Sequence, residues 1–489
     1  MWESKNAAEA RNDFIYGLLV CLMMETSLMG NKTGTCDSIL DAIGNTPMVR
    51  LPRDFDPEIK CEVLLKLDYM NPGGSMKDRI ALHMVRQAEK RGELKPGGRI
   101  VECSSGNTGA GLCIVAAALG YDITIVIPDK MSSEKISALR ALGADVVVTP
   151  CNVDIEDPMH YTKVAGRIAE ETPGSWWPDQ YHNSDNTDAH YYSTGPEIWE
   201  QAGGKIDYFV AGAGTGGTIS GIARYLKEQD PNIKIVGVDP PGSILAHFWK
   251  TGEVCASGPY AVEGVGEEEV PRAWDPTVID DYKVIADGDS FAMARRLAAE
   301  TGMFPGGSGG MNMAAVLEVA RGLPADARVV TLLPDYGKAY LSKVYSEDWL
   351  RDCGYLPQVP AAAATVADLV HENNRARVYD DETLAWAIRQ AGERGVRPLA
   401  IIARHGDSLL GILDEDKTIG MLTQGADLES LKAGDFVTTA PAILELDQPW
   451  KDAVDALANQ EAVLVKTEDG GYATFSRQEL MQGLKRLAH

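Results

Sequence analysis

Four segments hold residues whose types and spacing suit chemistry on a small anionic molecule. In NPGGSMKDR (71–79), Lys77 falls in the first turn of an expected amphipathic helix, with Ser75 at the cap position. A cation there opposes the helix macrodipole, which favours the neutral amine and so a nucleophile toward a carbonyl. The same lysine also reads as a surface residue followed by an Asp78/Arg79 pair. In SSGNTG (104–109), backbone N–H groups, hydroxyls and an amide make either a pocket for a carboxylate or simply a well-capped turn between strand and helix. In GAGTGGT (212–218), glycines let the backbone approach an anion at a helix N-terminus, and a phosphate is the expected guest. The spacing Gly212-x-Gly214-x-x-Gly217 also satisfies the dinucleotide fingerprint, with Asp239 ending the next strand where a ribose-binding acid would stand. In GGSGG (306–310), the glycines either present Ser308 close to a flat ligand or form a flexible turn.

These segments need a frame that brings them to one edge. From residue 61 to about 335, apolar runs alternate with amphipathic stretches: CEVLLKL (61–67), RIVECSS (99–105), DITIVIP (122–128), ADVVVT (144–149), DYFVAGAG (207–214), IKIVGVDP (233–240) and RVVTLLPD (328–335). Strands separated by helices predict parallel sheets covered on both faces, here in two α/β subdomains with a cleft between them. Ligands of open α/β proteins bind at the C-terminal edge of such sheets, where several of these strands run into glycine-rich turns. After Tyr355 the pattern changes, and 356–364 reads as a Pro/Ala linker. Beyond it lies an internal duplication: DETLAWAI (381–388) aligns with DQPWKDAV (447–454) at an offset of 66, and apolar strands follow at 399–402 and 462–465. Each half predicts a small β-α-β-β-α unit, about 365–425 and 431–484. Neither can bury its apolar face alone, so the two are expected to pack as a pair.

Composition narrows the partners. With 46 Lys and Arg against 71 Asp and Glu among 489 residues, the formal net charge is −25, and such a surface repels nucleic acid and acidic membranes. Eight cysteines include no C-x-x-C pair and no zinc-spaced Cys/His cluster, so no metal is expected and a reduced, cytoplasmic location fits. The apolar run 14–24 is too short to span a bilayer and follows Glu3, Glu9 and Asp13 beside Lys5 and Arg11. Residues 1–40 therefore read as an N-terminal extension rather than a signal peptide.

Taken in order over about residues 41–355, GNTPMVRL (44–51), NPGGSMKDR, SSGNTGAGL (104–112), KMSSEKISALRALGADVV (130–147), GAGTGGT and GGSGG resemble the fold type II family of pyridoxal-phosphate enzymes. EGVG (263–266) and LLPDYGKAYLSKVYSEDWL (332–350) resemble the cystathionine β-synthases of that family more than its cysteine synthases. The resemblance implies an α/β fold of two subdomains with pyridoxal 5′-phosphate as cofactor and Lys77 as the lysine that binds it covalently. Gly214, Thr215, Gly216, Gly217 and Thr218 would cradle its phosphate, Asn107 would face its 3′-oxygen, and Ser308 would meet its pyridine nitrogen. Ser104, Ser105, Gly106, Thr108 and Gln180 match the segments that hold the amino acid's carboxylate, while Tyr181 and Glu263 fall where the family keeps residues near the substrates. A neutral hydroxyl at the pyridine nitrogen leaves the ring less electron-withdrawing than an Asp would, which favours β-elimination over transamination.

The implied reaction condenses L-serine with L-homocysteine to L-cystathionine and water, with Lys77 removing and returning the α-proton. A cysteine synthase using O-acetylserine and sulfide is the alternative within the fold. A nicotinamide-dependent oxidoreductase built on the 212–218 loop, and a decayed enzyme acting only as a sensor, are alternatives from other classes. Some relatives hold haem through an N-terminal Cys and His, but the first histidine here is His83, inside the expected helix, so no haem is expected. Residues 365–489 resemble a tandem pair of CBS-type domains, an α+β Bateman module, which implies S-adenosylmethionine or an adenine nucleotide as ligand, or a purely packing role. Ser476 and Glu479 nearly match the module's ribose-binding pattern, whereas Asp414 and Lys417 depart from it, so at most one ligand site is expected. His182 and His190 are expected to be surface or hydrogen-bonded core residues. Kinship implies a homodimer or larger homo-oligomer.

Overall fold

The computed structural model describes residues 35–488 except 105, 130–132, 154–155, 358, 361–363, 371–377, 395–396, 407 and 485–486. The apolar run 14–24 and Ser105 thus lie outside the described residues. The chain divides into two compact units between Tyr345 and Ser346. This division lies upstream of the one expected at Tyr355, because the short helix Glu347–Asp352 groups with the second unit.

In chain order the first unit contains β1 (Met48–Arg50), β2 (Glu62–Leu67), α1 (Lys77–Arg91), β3 (Arg99–Cys103), α2 (Asn107–Leu119), β4 (Asp122–Pro128), α3 (Ser133–Ala141), β5 (Asp145–Thr149), α4 (Tyr161–Glu171) and β6 (Ser175–Trp176). It continues through α5 (Ser184–Ala189), a π-helical turn (His190–Thr194), α6 (Gly195–Gln201), β7 (Tyr208–Gly212), α7 (Gly217–Gln229), β8 (Lys234–Asp239), α8 (Leu245–Thr251), β9 (Asp281–Val284), α9 (Asp287–Thr301), α10 (Gly307–Ala320) and β10 (Arg328–Leu333).

Two sheets result. One has the order β5-β4-β3-β6 and is parallel throughout; the other runs β1-β2-β10-β7-β8-β9, with only β1 antiparallel. Apart from one buried threonine each, Thr124 and Thr331, the interiors of β4 and β10 are apolar, as in strands buried on both faces. Ile80, Met84, Ile100, Leu112 and Ile125 close one core, and Phe209, Ile222, Ile235 and Leu332 close the other. The short strands β1, β6 and β9 had no distinct signal in the sequence.

A buried ionic network fixes how α1 meets this frame. Arg79 donates to both carboxylate oxygens of Asp68 at 3.0–3.1 Å from Nε and to Glu197 at 2.6 Å from Nη1. Lys66 Nζ, fully buried on β2, donates to Glu197 at 2.6 Å, to Gln201 at 2.9 Å and to the Thr46 carbonyl at 2.6 Å. Asp78 accepts from the Gly73 N–H at 2.5 Å and so closes the turn leading into the helix. The Asp78/Arg79 pair that follows Lys77 is buried.

The second unit contains α11 (Glu347–Asp352), β11 (Val359–Pro360), β12 (Val378–Tyr379), α12 (Leu384–Arg394), β13 (Ala400–Ile402), β14 (Leu409–Leu413), α13 (Glu415–Thr423), β15 (Val437–Thr438), β16 (Ile443–Glu445), α14 (Trp450–Ala458), β17 (Ala462–Lys466), β18 (Tyr472–Ser476), α15 (Arg477–Gly483) and β19 (Leu487–Ala488). Both halves of the duplication trace β-α-β-β-α. Their lead-in segments are exchanged: the Val366 N–H donates to the Gln448 carbonyl, and the Ala433 N–H donates to the Glu382 carbonyl, each at 2.8 Å. Val366 and Leu369 accordingly join the core of the second repeat, while Ala433 and Phe436 join that of the first. The pairing expected from the small size of each repeat is therefore built into the chain path.

Candidate active site

The segment after β10 joins three of the four chemically suggestive loops. Ser75 and Asp335 form an isolated antiparallel bridge, the Met76 N–H donates to the Pro334 carbonyl at 2.8 Å, and the Gly306 N–H donates to the Asp335 carbonyl at 3.0 Å. Asn107 Nδ2 donates to Asp335 Oδ2 at 2.8 Å. The fourth loop is joined through side chains: Thr218 Oγ1 lies 3.5 Å from Met76 Sδ, and the Gly212 N–H donates to Asn312 Oδ1 on α10 at 2.7 Å. Lys77, Asn107, the 212–218 loop and the start of α10 therefore belong to one locality.

Lys77 is the first residue of α1 and is half-buried. Burial pushes its amine down to about 8, against the opposing pull of Glu267 and Asp335. The expected role of Ser75 as helix cap is corrected: Met76 occupies that position, and Ser75 Oγ instead accepts from the Lys77 N–H at 3.2 Å. Ser308 is the buried second residue of α10. A Cβ at Gly306, just before that helix, would collide with Asp335 Oδ1 and the Tyr340 ring, so a glycine is required for the approach.

The 212–218 loop ends at Gly216, whose φ of +80° strongly favours glycine and whose neighbour is Trp274. The first turn of α7 has no side-chain cap. Thr215 Oγ1 accepts from Asn186 Nδ2 at 3.0 Å, and Thr218 Oγ1 pairs with His190 Nε2 at 3.1 Å. His190 is thus the hydrogen-bonded core residue expected, with Thr194 on its Nδ1, while the exposed His182 pairs with Asp179. Asp239, the ribose-binding acid of the dinucleotide reading, is buried and accepts from the Ala246 N–H at 2.9 Å.

Thr108 Oγ1 donates to Gln180 Oε1 at 2.6 Å, and the Gln180 carbonyl accepts from Asn186 at 2.7 Å. Ser104 Oγ accepts from the N–H groups of Gly106 and Gly109 at 3.3 and 3.0 Å, so this hydroxyl supports the start of α2. Tyr181 lies among Glu267 and Tyr161, and burial holds its phenol well above the usual range. Glu263 forms ion pairs with Lys135 at 2.6 Å and Lys343 at 2.7 Å. Burial opposes its charge, yet these lysines hold its carboxyl below the usual range.

Several neighbours escaped the sequence reading. Asp335 is buried with Oδ1 lacking a partner among the described residues, and burial raises its pKa. Glu267 is pushed up to about 8, chiefly by burial, and its Oε1 would lie 3.7 Å from a Cβ at Gly214. Asn186, Asn312, Lys135 and Lys343 complete the surroundings. The only available signal was position: Asp335 ends an apolar strand run, and Glu267 follows EGVG directly.

A profile of the family described as pyridoxal-phosphate dependent enzyme matches residues 39–335, and the chain belongs to this family. It is an enzyme whose cofactor is pyridoxal phosphate. Cystathionine β-synthase of Mus musculus is 47% identical over 321 residues, covering 65% of this chain and 57% of that protein's length. Cystathionine β-synthase of Dictyostelium discoideum is 39% identical over 405 residues, covering 82% of this chain and 80% of the other. Among solved structures, an O-acetylserine dependent cystathionine β-synthase from Helicobacter pylori has a TM-score of 0.59 at 37% identity, over 64% of this chain and all of that one.

The residues present fit the cofactor. Bare N–H groups open the first turn of α7, no side chain intrudes at Gly214, where a Cβ would approach the Gly264 carbonyl to 2.6 Å, and Lys77 carries an amine weakened by burial. Gly214, Thr215, Gly216, Gly217 and Thr218 would hold the phosphate, Asn107 and Ser308 the ring substituents, and Lys77 the aldehyde carbon.

Proposed function

We propose that this enzyme performs β-replacement on L-serine with L-homocysteine as the incoming thiol, giving L-cystathionine and water. When bound, pyridoxal phosphate withdraws electrons from an amino acid's α-carbon and so lets a β-substituent leave. The observation that carries the reading is Lys77: its amine, lowered to about 8, exchanges a proton near neutrality and sits in the locality shared by Asn107 and Ser308. In this reading Lys77 removes the α-proton and later returns it. Ser104, Ser105, Thr108 and Gln180 hold the substrate carboxylate, with the Thr108–Gln180 hydrogen bond fixing two of these side chains against each other. The Ser308 hydroxyl would meet the pyridine nitrogen without protonating it. Tyr181 and Glu263 border the substrates, and the Lys135–Glu263–Lys343 ion pairs hold the EGVG turn in place.

The acceptor and the leaving group are settled by a substrate panel. Serine with homocysteine should give cystathionine. Turnover of O-acetylserine with sulfide, and none of serine with homocysteine, would overturn this reading in favour of a cysteine synthase; the O-acetylserine dependence of the Helicobacter pylori relative makes that arm necessary. For the second unit we propose a Bateman-type module with one adenosyl site beside Ser476 and Glu479. Calorimetric titration with S-adenosylmethionine and with adenine nucleotides tests it, and no heat with either leaves a packing role. A homodimer is the assembly to be sought by sedimentation.

A further inference from the structure

We propose that Asp335 is a positioning residue that fixes which way round the Asn107 amide lies, and thereby presents a donor rather than an acceptor to the cofactor's 3′-oxygen. This rests on the reading that Asn107 faces that oxygen. Asp335 Oδ2 accepts from Asn107 Nδ2 at 2.8 Å and from the Tyr340 hydroxyl at 2.5 Å; Asp335 and Tyr340 are buried and Asn107 is half-buried.

The carboxylate is held in place by its backbone. Ser75 pairs with Asp335, the Gly306 N–H donates to its carbonyl, and the flanking Tyr336 N–H donates to the Gly74 carbonyl at 3.0 Å. Gly306 is packed directly against Oδ1. The group is therefore tied to the strand-end segment, to the turn before Lys77 and to the turn before Ser308.

A carboxylate has no proton to give, so both neighbours must donate to it. Tyr340 turns its O–H inward, and Asn107 turns its NH₂ group, not its carbonyl, toward Asp335. An NH₂ group has two N–H bonds, so one donor remains on the same nitrogen. A neutral side chain at 335 can both donate and accept, and the same chain of hydrogen bonds can then run in either direction. The 3′-oxygen of a pyridoxal imine is stabilised as an oxyanion by a donor, giving the yellow form, and as a hydroxyl by an acceptor, giving a form that absorbs in the near ultraviolet. Asp335 thus selects the yellow form without touching the cofactor.

The test uses the full chain purified with its cofactor. Borohydride trapping and peptide mapping report whether Lys77 carries the cofactor; the absorption spectrum reports its 3′-oxygen. Wild-type protein should be labelled at Lys77 and absorb in the visible. Asp335→Asn, close in size and shape, should remain labelled while its visible band falls by about twofold or more and the near-ultraviolet band grows, because the two amide orientations become comparable. Full labelling of both proteins with identical spectra overturns the inference and leaves the proposed site intact. Absence of label at Lys77 in the wild type overturns the site and the inference together. Should Asp335→Asn fail to fold, a crystal structure of the wild-type holoenzyme decides: Asp335 within hydrogen-bond distance of Asn107 Nδ2 is expected, and a carboxylate turned away from Asn107 overturns the inference.

Discussion

The start of α7 in the first unit and the start of α15 in the second solve one problem in opposite ways. Each follows a loop or strand that delivers the chain to a helix whose first N–H groups lack intrahelical partners. At α15, Glu479 accepts from the Ser476 N–H at 2.5 Å while Ser476 Oγ accepts from the Glu479 N–H at 3.3 Å, a reciprocal capping box. At α7, Gly216 supplies no side chain, and Thr218, which has a hydroxyl, spends it on His190. A helix start whose donors are satisfied by its own chain serves stability. One left bare beside a weakened lysine is free to receive an anion, as the proposed function requires.

The largest expected effect falls on that lysine. Lys77→Ala should lower turnover by about 10³-fold or more, since in the proposed reaction one amine binds the cofactor and moves the proton. Its thermal transition should stay close to wild type, and borohydride should leave no label. Turnover at the wild-type rate would remove the distinction drawn between the two helix starts. Ser308→Ala should cost much less, because a hydroxyl at the ring nitrogen, the place proposed for it, would tune the cofactor without reacting.

The frame that carries α1 is the next place to press. Glu197→Ala should destabilise the first unit by about 3–5 kcal/mol, measured by denaturant unfolding, because Lys66 and Arg79 would be left buried and short of a partner. Burial alone would raise the Glu197 carboxyl, but Arg79 and Lys66 together hold it at about 2. The folded value lies below that of the unfolded chain, about 4.3. The corresponding stability is present above pH ~4.3 and is lost as pH falls through about 2, amounting to about 3 kcal/mol. Lys66 shows why this network is not a simple gain: burial, joined by the Arg79 charge, outweighs the Glu197 and Asp68 carboxylates and lowers its pKa. Acid unfolding of Glu197→Gln should accordingly be less steep between pH ~4 and ~2 than that of wild type.

Gly216→Ala comes third. Left-handed φ and contact with Trp274 together should cost about 3 kcal/mol and weaken cofactor retention, read by dialysis against buffer lacking pyridoxal phosphate. Retention as tight as wild type would mean that this turn does not hold the phosphate.

These residues were legible in the sequence to different degrees, for physical reasons. The long strands announced themselves because burial on both faces demands unbroken apolar runs, and the four loops because chemistry next to a helix start demands glycine, serine and threonine in order. Met48–Arg50 and Ser175–Trp176 did not, since strands of three and two residues carry no period. Arg79 was visible as a charge but not as a buried one, because its partners Asp68 and Glu197 are brought to it only by the folded chain. Asp335 and Glu267 were missed for the same reason: one acid at a strand end looks like any other until the sheet order sets it beside Asn107 or Lys77. The exchange of lead-in segments between the two repeats was also hidden, although the offset of 66 fixed the repeats themselves, because periodicity reports similarity and not which copy a segment touches.

The smallest expected effect returns to α15. Glu479→Ala removes one half of the capping box and should destabilise the second unit by about 1 kcal/mol, with no change in turnover of the serine and homocysteine reaction measured without adenosyl compounds. The carboxylate has a second possible claim on it, the ribose of an adenosyl ligand, and the two claims separate cleanly. Glu479→Gln retains an oxygen for the Ser476 N–H but not the charge, so it should recover most of the lost stability. If the side chain only caps, the Gln variant should also match wild type in calorimetric titration with S-adenosylmethionine. If it grips ribose hydroxyls, stability returns while binding stays weakened, because charge strengthens a hydrogen bond to a hydroxyl donor roughly twofold. A Glu479→Ala protein as stable as wild type would mean that the α15 donors need no side chain either.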